Sequence, residues 1–327
     1  MRTMEKVRLI DIAEQLGLSV ATVSNVLNGK HHKISYETEK RVLQAIEESG
    51  YLPSRAEVLL GRNPRSLIGF VVNDHPIYNG RPFEDPYISQ TLSALLAKAN
   101  QHDLDLVVRS AKSWEEISDF ASTWNMKGVI VSGFCKTDYE SLKSQLHIPL
   151  VVYNGGTDGV AGVSNDDRYG GRILGHHLIE RGHKEVLCLI FAVEDPDLDR
   201  VEGLAQAGLK TTIQVVPPTK NERLLLYETL SFTSHSAVFC TSDQLAMELI
   251  RYLQNHQIQV PEQVSVCGFD GIPAGAFCHP SLTTVVQNCE EQAKAALSAL
   301  FNPVPDFVSK PVLLVRESTG YGKDIST

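Results

Sequence analysis

Small side chains with hydroxyl and amide groups are concentrated in one short stretch near the start of the 327-residue sequence. Groups that could hold phosphate oxygens by hydrogen bonds are carried by Ser19, Thr22, Ser24 and Asn28. Beside them, Asn25 has the amide geometry that pairs with adenine, and Val20 or Ala21 could meet a thymine methyl group. These residue types at this spacing predict a surface that binds double-stranded DNA.

Two helices joined by a short turn are needed to present these side chains. We expect helices at Arg8–Leu16 and Val20–Asn28, because Gly17 can take a positive φ in the turn and Ser19 can cap the second helix. The positions that must be small or apolar where the helices cross are filled by Ile12, Ala13, Leu16, Gly17, Leu18, Val23 and Val26. This pattern is typical of a helix-turn-helix.

A third helix is expected at Ser35–Ser49, where Val42, Leu43 and Ile46 would close the small core. A three-helix bundle without a DNA-binding role is the alternative interpretation of this segment.

Charge is divided unevenly along the chain. The whole sequence has 30 Lys and Arg against 39 Asp and Glu, a net charge of −9. The first 62 residues hold nine basic and eight acidic side chains, so the acidic excess lies in the remainder. Such a division permits a nucleic-acid-binding head on an acidic body. Because the head carries little net charge, hydroxyls and backbone amides must supply many of its phosphate contacts.

From Ser66 onward, short apolar runs alternate with amphipathic stretches. We expect strands at Ser66–Val72, Leu104–Arg109, Gly128–Ser132, Pro149–Tyr153, Val186–Ile190, Ile213–Val216, Ala237–Cys240 and Val264–Gly268. Helices are expected between them, at Ser89–His102, Tyr169–Arg181 and Gln244–His256 among other places. This alternation predicts parallel sheets covered by helices, and eight strands indicate two α/β lobes. Ligands of such sheets bind at the carboxyl ends of the strands, so two facing lobes predict a binding cleft.

The sequence lacks the motifs of several other function classes. No GxGxxG, P-loop, HExxH or GxSxG motif is found, so we expect no catalytic residue, no cofactor and no metal site. The six cysteines have no CxxC spacing and are expected to be buried thiols in a reducing cytoplasm. No apolar run is long enough to span a bilayer, and no secretory signal is expected at the start.

The segment Ile10–Gly29 closely resembles the DNA-binding heads of the lactose/galactose repressor (LacI/GalR) family of transcriptional regulators. The resemblance implies a hinge helix that forms on operator DNA, in which Leu60 matches a leucine that wedges into the minor groove. Relatives usually carry Ala-Arg where this chain has Glu57 and Val58. An acidic side chain is repelled by phosphates, so Glu57 would either weaken hinge binding or point away from the DNA.

The resemblance continues through most of the body. It is carried by the pair Gly170 and Gly171 and by the segments His177–His183, Arg200–Leu204, Val260–Asp270 and Pro280–Thr284. The implied organisation is a helix-turn-helix domain at 1–53, a hinge at 54–65 and an effector-binding and dimerisation domain at 66–327. Relatives resemble periplasmic sugar-binding proteins, with a doubly wound parallel sheet in each of two lobes. The lobes would comprise about 66–162 and 289–317, and 163–288 and 318–327, with crossings near 163, 289 and 318.

Five residues match positions that bind the effector in relatives, namely Tyr87, Asn154, Arg200, Ser242 and Asp270. A guanidinium and a carboxylate suit the vicinal hydroxyls of a sugar. The alternatives are a solvated charge for Arg200, a loop-bonding role for Asp270 and an ordinary core tyrosine for Tyr87. Asn154 and Ser242 replace residues that are often acidic or larger in relatives, which favours a neutral or acidic sugar. A loop that is longer than in relatives adds His75, Tyr78 and Arg81 at the cleft mouth.

The resemblance therefore implies a repressor of carbohydrate-utilisation genes, associated with the nucleoid in the bacterial cytoplasm. It would bind a palindromic operator as a homodimer, with its affinity modulated by a sugar-like effector and no membrane contact. No leucine heptads follow Ser318, so a coiled-coil tetramerisation tail is not expected. A sugar-transport receptor and an α/β enzyme are the alternatives, but the first needs export and the second needs a catalytic site.

Overall fold

The computed structural model describes residues 9–27, 34–49, 66–78, 80–124, 126–134, 146, 148–157, 160–193, 196–302 and 306–322. The chain divides between residues 66 and 67 into two compact units, a helical head and an α/β body. Four residues singled out in the sequence, Asn28, Glu57, Val58 and Leu60, lie outside the described residues. No helix within the described ranges has the combined length and apolarity that crossing a bilayer requires.

Three helices form the head, α1 (Leu9–Leu16), α2 (Val20–Leu27) and α3 (Tyr36–Ser49). Gly17 makes the turn between α1 and α2 with a φ of +65°. Ser19 Oγ accepts a hydrogen bond from the Thr22 amide at 3.1 Å and so caps α2. The apolar sides of the helices meet in a core of Ile12, Ala13, Val23, Val26, Val42 and Ala45. The predicted helix-turn-helix is therefore present.

The prediction that Leu43 belongs to the core is wrong. Its side chain is 49% exposed, and Ala45 is buried instead. Successive residues of a helix are about 100° apart, so Val42 and Ala45 share the inner face while Leu43 lies outside it.

The body begins with β1 (Ser66–Asn73) and continues, in chain order, with α4 (Pro86–Gln101), β2 (Leu104–Ala111), α5 (Trp114–Thr123), β3 (Gly128–Ser132), β4 (Leu150–Tyr153), β5 (Gly155–Thr157), β6 (Val160–Asn165), α6 (Asp167–Glu180), β7 (Glu185–Ile190), α7 (Asp197–Ala207), β8 (Lys210–Val215), α8 (Lys220–Thr229), β9 (Ala237–Cys240), α9 (Asp243–Asn255), β10 (Ser265–Asp270), β11 (Thr283–Val286), α10 (Cys289–Phe301), β12 (Phe307–Ser309) and β13 (Val312–Leu314). Two sheets result, one for each lobe. Their strand orders are β12-β6-β4-β3-β1-β2, with β5 beside β6, and β13-β11-β10-β9-β7-β8.

Both sheets are largely parallel, as the alternating pattern predicts. In the first lobe β3 pairs in parallel with β1 and β4, and in the second β7 pairs in parallel with β8 and β9. In each lobe the chain reverses its direction of travel across the sheet, beside β1 in the first and beside β7 in the second. Such reversal points leave a crevice at the carboxyl ends of the strands, where ligands bind.

The chain passes between the two sheets three times. The passages lie between β6 and α6, between β11 and α10 at residues 287–288, and between β12 and β13 at residues 310–311. The third comes earlier than the position near residue 318 that the sequence suggests. The reason is that Val312–Leu314 pairs with β11 in an antiparallel register and so belongs to the second lobe.

Two glycines allow α6 and α7 to pack closely. A Cβ atom on Gly171 would lie 2.0 Å from the carbonyl oxygen of Arg200, and one on Gly203 would lie 2.2 Å from that of Arg168. Any larger residue at either position would push the helices apart. This contact fixes the position of Arg200, which lies on α7.

Five of the six cysteines fall within the described residues, and all five are free thiols. Cys188, Cys240, Cys267 and Cys289 are buried and Cys278 is half-buried, as expected from the sequence.

Candidate functional site

Helix α2 presents a polar and small-residue face away from the core of the head. Val23 and Val26 are buried, whereas Val20 is 42% exposed and Ala21 is also exposed. Ser24 and Asn25 are half-buried and lie on the same side as Val20 and Ala21, since they follow these residues by four positions. This side of α2 therefore carries small and polar side chains of the kind that contact base edges in a major groove.

The hydroxyls at the start of α2 are held together. Ser19 Oγ lies 2.8 Å from Thr22 Oγ1, in addition to capping the helix through the Thr22 amide. A paired arrangement of this kind keeps both hydroxyls at the helix N-terminus, where phosphate oxygens are favoured.

A cleft of about 430 Å³ opens in the body at the carboxyl ends of strands from both lobes. Its volume lies within the range of about 300–1,000 Å³ that is typical of small-molecule sites. The structure places all five sequence-predicted effector residues in its lining, namely Tyr87, Asn154, Arg200, Ser242 and Asp270. The three loop residues expected at its mouth, His75, Tyr78 and Arg81, line it as well.

Arg200 is a buried residue of the cleft wall, so the alternative of a solvated surface charge is wrong. Its Nε donates to Asp167 Oδ1 at 2.7 Å, and its Nη1 donates to the carbonyl oxygen of Thr241. The guanidinium carbon lies 4.0 Å from the centre of the Phe269 ring. Burial alone would lower the pKa of Arg200, but the neighbouring Asp167 raises it, so the guanidinium keeps its charge.

Asp270 ends β10 and is buried at the base of the cleft. Its Oδ1 accepts a hydrogen bond from Gln287 Nε2 at 2.9 Å. Its backbone φ of +118° is uncommon for a residue with a side chain, and strained positions of this kind cluster at functional sites. Burial raises the pKa of Asp270, while the positive charge of Arg200 opposes that rise.

The loop after Asp270 is held by Asp243, which stands beside the predicted Ser242. Asp243 Oδ2 accepts hydrogen bonds from the amides of Gly271 and Ile272 at 2.8 Å each, and its Oδ1 accepts one from Thr284. The loop-bonding role considered for Asp270 therefore belongs to Asp243. Burial raises the pKa of Asp243 to about 6, against these hydrogen bonds, which lower it.

A line of hydrogen bonds connects the lobes across the cleft. Asn154 Nδ2 donates to the Tyr87 hydroxyl at 2.8 Å, and that hydroxyl donates to Gln287 Oε1 at 3.1 Å. Gln287 Nε2 completes the line to Asp270. We call these four residues the interlobe relay. It joins Tyr87 and Asn154 of the first lobe to Asp270 of the second through a residue in the second passage.

Ser242 lines the cleft but already has a structural partner. Its Oγ accepts a hydrogen bond from the Leu245 amide at 3.2 Å and caps α9. Its hydroxyl hydrogen can still be donated to a ligand.

Each arginine of the cleft lies beside a carboxylate. The pairs are Arg81–Glu84 at 3.3 Å, Arg200–Asp167 at 2.7 Å and Arg223–Glu248 at 2.8 Å. Asp85 and Asp197 also line the cleft. Among the described lining residues there is thus no arginine or lysine without an acidic partner. Nowhere in the described ranges do three His, Cys, Asp or Glu side chains form a group that could hold a metal ion.

Sequence reasoning missed several residues of the site, notably Asp167, Phe191, Thr241 and Gln287. Phe191 and Thr241 directly follow β7 and β9, so the rule that ligands bind at strand carboxyl ends could have identified them. Asp167 and Gln287 carry no such signal, because their roles depend on contacts with residues distant in the chain.

The comparisons with known proteins agree with this architecture. Residues 8–54 match the family of bacterial regulatory proteins of the lacI type, and residues 176–319 match the periplasmic binding protein-like domain. The HTH-type transcriptional regulator MalR of Streptomyces coelicolor is 30% identical over 343 residues, which cover 95% of this chain and 96% of MalR.

Two solved structures share the fold at lower identity. The lac repressor dimer bound to operator and the anti-inducer ONPF has a TM-score of 0.77 and 20% identity, over 97% of this chain and 100% of that chain. The complex of the transcriptional regulator CelR with cellobiose has a TM-score of 0.66 and 23% identity, over 95% of this chain and 99% of that chain.

The helix-turn-helix head and the two-lobed body together define a DNA-binding transcriptional regulator. The chain belongs to the LacI family of bacterial regulatory proteins, as the likeness to MalR along almost its whole length shows. Its relatives are transcriptional regulators and not enzymes.

Proposed function

We propose that this regulator is a repressor of carbohydrate-utilisation genes whose DNA affinity is set by a neutral sugar bound in the body cleft. The observation that carries the proposal is the pairing of every cleft arginine with a carboxylate. Carboxylates beside every arginine repel a phosphate or carboxylate ligand, whereas a sugar hydroxyl can form hydrogen bonds with both members of an ion pair. The pairing of the arginines with carboxylates thus favours a neutral sugar over an acidic one, where the sequence left both open.

The remaining polar atoms of the cleft suit hydroxyl groups. Within the described residues, Arg200 Nη2 and Asp270 Oδ2 make no hydrogen bond. The first is a donor and the second is a carboxylate oxygen that accepts, so a sugar hydroxyl, which both donates and accepts, suits the pair. Tyr87 and Phe191 offer aromatic faces for the apolar side of a sugar ring. The cellobiose complex of CelR supports a ligand of this class.

On the DNA side, we propose a homodimer that places two heads on a palindromic operator, with half-sites about one helical turn apart. Asn25 would read adenine, Val20 and Ala21 would contact base edges, and Ser19, Thr22 and Ser24 would hold phosphates. Asn28 and Leu60 are proposed as further contacts on the sequence pattern alone. The operator-bound dimer of the lac repressor supports this arrangement.

Selection of binding sites from a random DNA pool tests the DNA proposal, and we expect a palindromic consensus. The substitution Asn25→Ala should weaken binding to that consensus by about 10- to 100-fold, because a bidentate base contact contributes about 1–3 kcal/mol. The exposed Gln44→Ala on α3 is the control and should bind as the wild type does. Equal affinities of Asn25→Ala and wild type would contradict the assignment.

Thermal unfolding with cellobiose, D-ribose, D-gluconate, D-glucose 6-phosphate and hypoxanthine tests the ligand proposal. A compound that binds only the folded chain raises its Tm, and we expect this of a neutral sugar. The same sugar should change the affinity for the selected DNA, since the two binding events are coupled reciprocally. Stabilisation by hypoxanthine alone, or by the charged compounds alone, would contradict the proposal.

A further inference from the structure

One buried hydroxyl in the cleft wall has no partner. Thr241 follows β9, is only 1% exposed and lines the cleft, and its Oγ1 makes no hydrogen bond among the described residues. A buried hydroxyl without a partner destabilises a protein, so native structures contain few of them. Among the described residues three buried side-chain atoms are in this condition, and the other two belong to Asp74 and Gln90, which do not line this cleft.

The backbone of Thr241 contacts the guanidinium that the ligand is proposed to contact. Its own carbonyl oxygen accepts the hydrogen bond from Arg200 Nη1. The unused Nη2 of the same guanidinium is therefore close to this residue. An oxygen atom that approaches Nη2 from the cleft comes within reach of a threonine side chain that rotates about one bond.

We propose that Thr241 is a specificity-determining residue of the effector cleft. Its hydroxyl hydrogen-bonds the ligand oxygen that Arg200 Nη2 contacts, so the protein favours sugars with a free hydroxyl at that position over their deoxy or O-methyl analogues. This inference rests on the proposed sugar-binding function and names one contact within it. A site built around a hydroxyl rejects analogues that lack it, because the protein group is then left unpaired.

Three variants separate this role from a structural one. Thr241→Val has nearly the same shape without the hydroxyl, Thr241→Ser retains the hydroxyl, and Thr91→Val makes the same change at a buried site of the first lobe. Thr91 is 2% exposed and its hydroxyl contacts Cys289 Sγ at 3.9 Å, outside the cleft. Each full-length variant is titrated with cellobiose and D-ribose, and its Tm is measured without and with the sugar.

We expect Thr241→Val to bind the sugar about 10-fold more weakly than the wild type, and to have a higher Tm without sugar because an unpaired buried polar atom is removed. Thr241→Ser should stay within about threefold of the wild-type affinity, and Thr91→Val should bind unchanged. If Thr241 only packed against its neighbours, Thr241→Val would not combine a weaker affinity for the sugar with a higher Tm.

The contrary outcomes are distinct. Wild-type affinity in Thr241→Val, or a lower Tm without sugar, would overturn the inference while leaving the sugar-binding proposal intact. If neither these sugars nor any other compound of the panel raises the wild-type Tm, the proposed function is contradicted and the inference falls with it.

Discussion

Two buried carboxyl groups of the second lobe, Asp243 and Asp270, differ in how many of their oxygens already accept hydrogen bonds from the protein. Both oxygens of Asp243 accept hydrogen bonds from the protein, so it is fully used in holding the loop of Gly271 and Ile272. Asp270 has one oxygen occupied by Gln287. Asp243 therefore has a structural role, whereas Asp270 still has an oxygen that can bind a ligand in the cleft.

Two buried histidines fasten the segment after β13 to the second lobe. His177 Nε2 lies 3.0 Å from Thr319 Oγ1, and His183 Nε2 donates to the carbonyl oxygen of Gly320 at 3.2 Å. Burial, together with the charge of Arg181, lowers the pKa of His177 from 6.5 to about 4. These contacts give a physical reason for the His177–His183 element that the sequence singled out.

Neutral His177 should make stability depend on pH. In the unfolded chain His177 takes up a proton near pH 6.5, whereas in the folded chain it does so only near pH 4. The contribution of neutral His177 to the free energy of unfolding is therefore complete above pH 6.5 and is lost as the pH falls. Thermal unfolding at pH 7 and pH 5 should show that the Tm advantage of wild type over His177→Gln narrows at the lower pH. The exposed His176→Gln is the control at the neighbouring position and should leave the Tm close to that of the wild type at pH 7. A constant advantage over His177→Gln would refute this account.

Among the elements, the contact of α6 with α7 is the one on which the cleft depends most. Helix α6 carries Asp167 and helix α7 carries Arg200, and these two side chains are joined by a 2.7 Å ion pair. Gly171 and Gly203 set the distance between the helices. The position of Arg200 in the cleft thus depends on the absence of side chains at Gly171 and Gly203.

A methyl group at this contact should disturb both stability and ligand binding. Gly171→Ala would place a Cβ atom 2.0 Å from the Arg200 carbonyl oxygen. Overpacking of this kind costs about 1–3 kcal/mol, so we expect the Tm to fall by at least about 2 °C and sugar affinity to fall with it. The exposed Gln206→Ala on α7 is the control. A variant that keeps both its Tm and its sugar affinity would show that the helices can separate without consequence.

At the scale of the whole molecule, the interlobe relay is a polar connection between the two lobes. Gln287 is 2% exposed and is the only member that lies in a passage between the sheets. If the relay sets the lobe arrangement, then a ligand that contacts Asp270 and Tyr87 competes with Gln287 or strengthens its bonds. Either effect changes the relative stability of two arrangements, which is what allosteric control requires.

Gln287→Met, which has a similar shape and no amide, tests this role. We expect a lower Tm, because Asp270 loses its partner, and at least a threefold smaller effect of the effective sugar on DNA affinity. DNA binding is measured with and without the sugar, alongside the exposed control Gln263→Met. A variant with lowered Tm but an unchanged effect of the sugar would show that the relay only stabilises the fold.

The sequence allowed much of this structure to be predicted, since amphipathic periodicity reports burial. All eight expected strands are present, but β5, β6, β11, β12 and β13 were missed because they are short or rich in Gly, Ser and Thr. The error at Leu43 arose because its apolar side chain lies beside the core of the head, not in it. In the site, family positions identified Arg200 and Asp270, whereas the roles of Asp167 and Gln287 depend on contacts with residues distant in the chain.

The three passages between the sheets also determine when the protein can mature during synthesis. The three described helices of the head have all been made once Ser49 has left the ribosome. The first sheet lacks its edge strand until Phe307–Ser309 emerges, and the second lacks β13 until Val312–Leu314 follows. Domains of a nascent chain fold as they emerge, so the helix-turn-helix forms before either sheet of the body is complete. A nonsense codon between the codons for Ser49 and Phe307 would therefore release the helix-turn-helix without a complete first sheet.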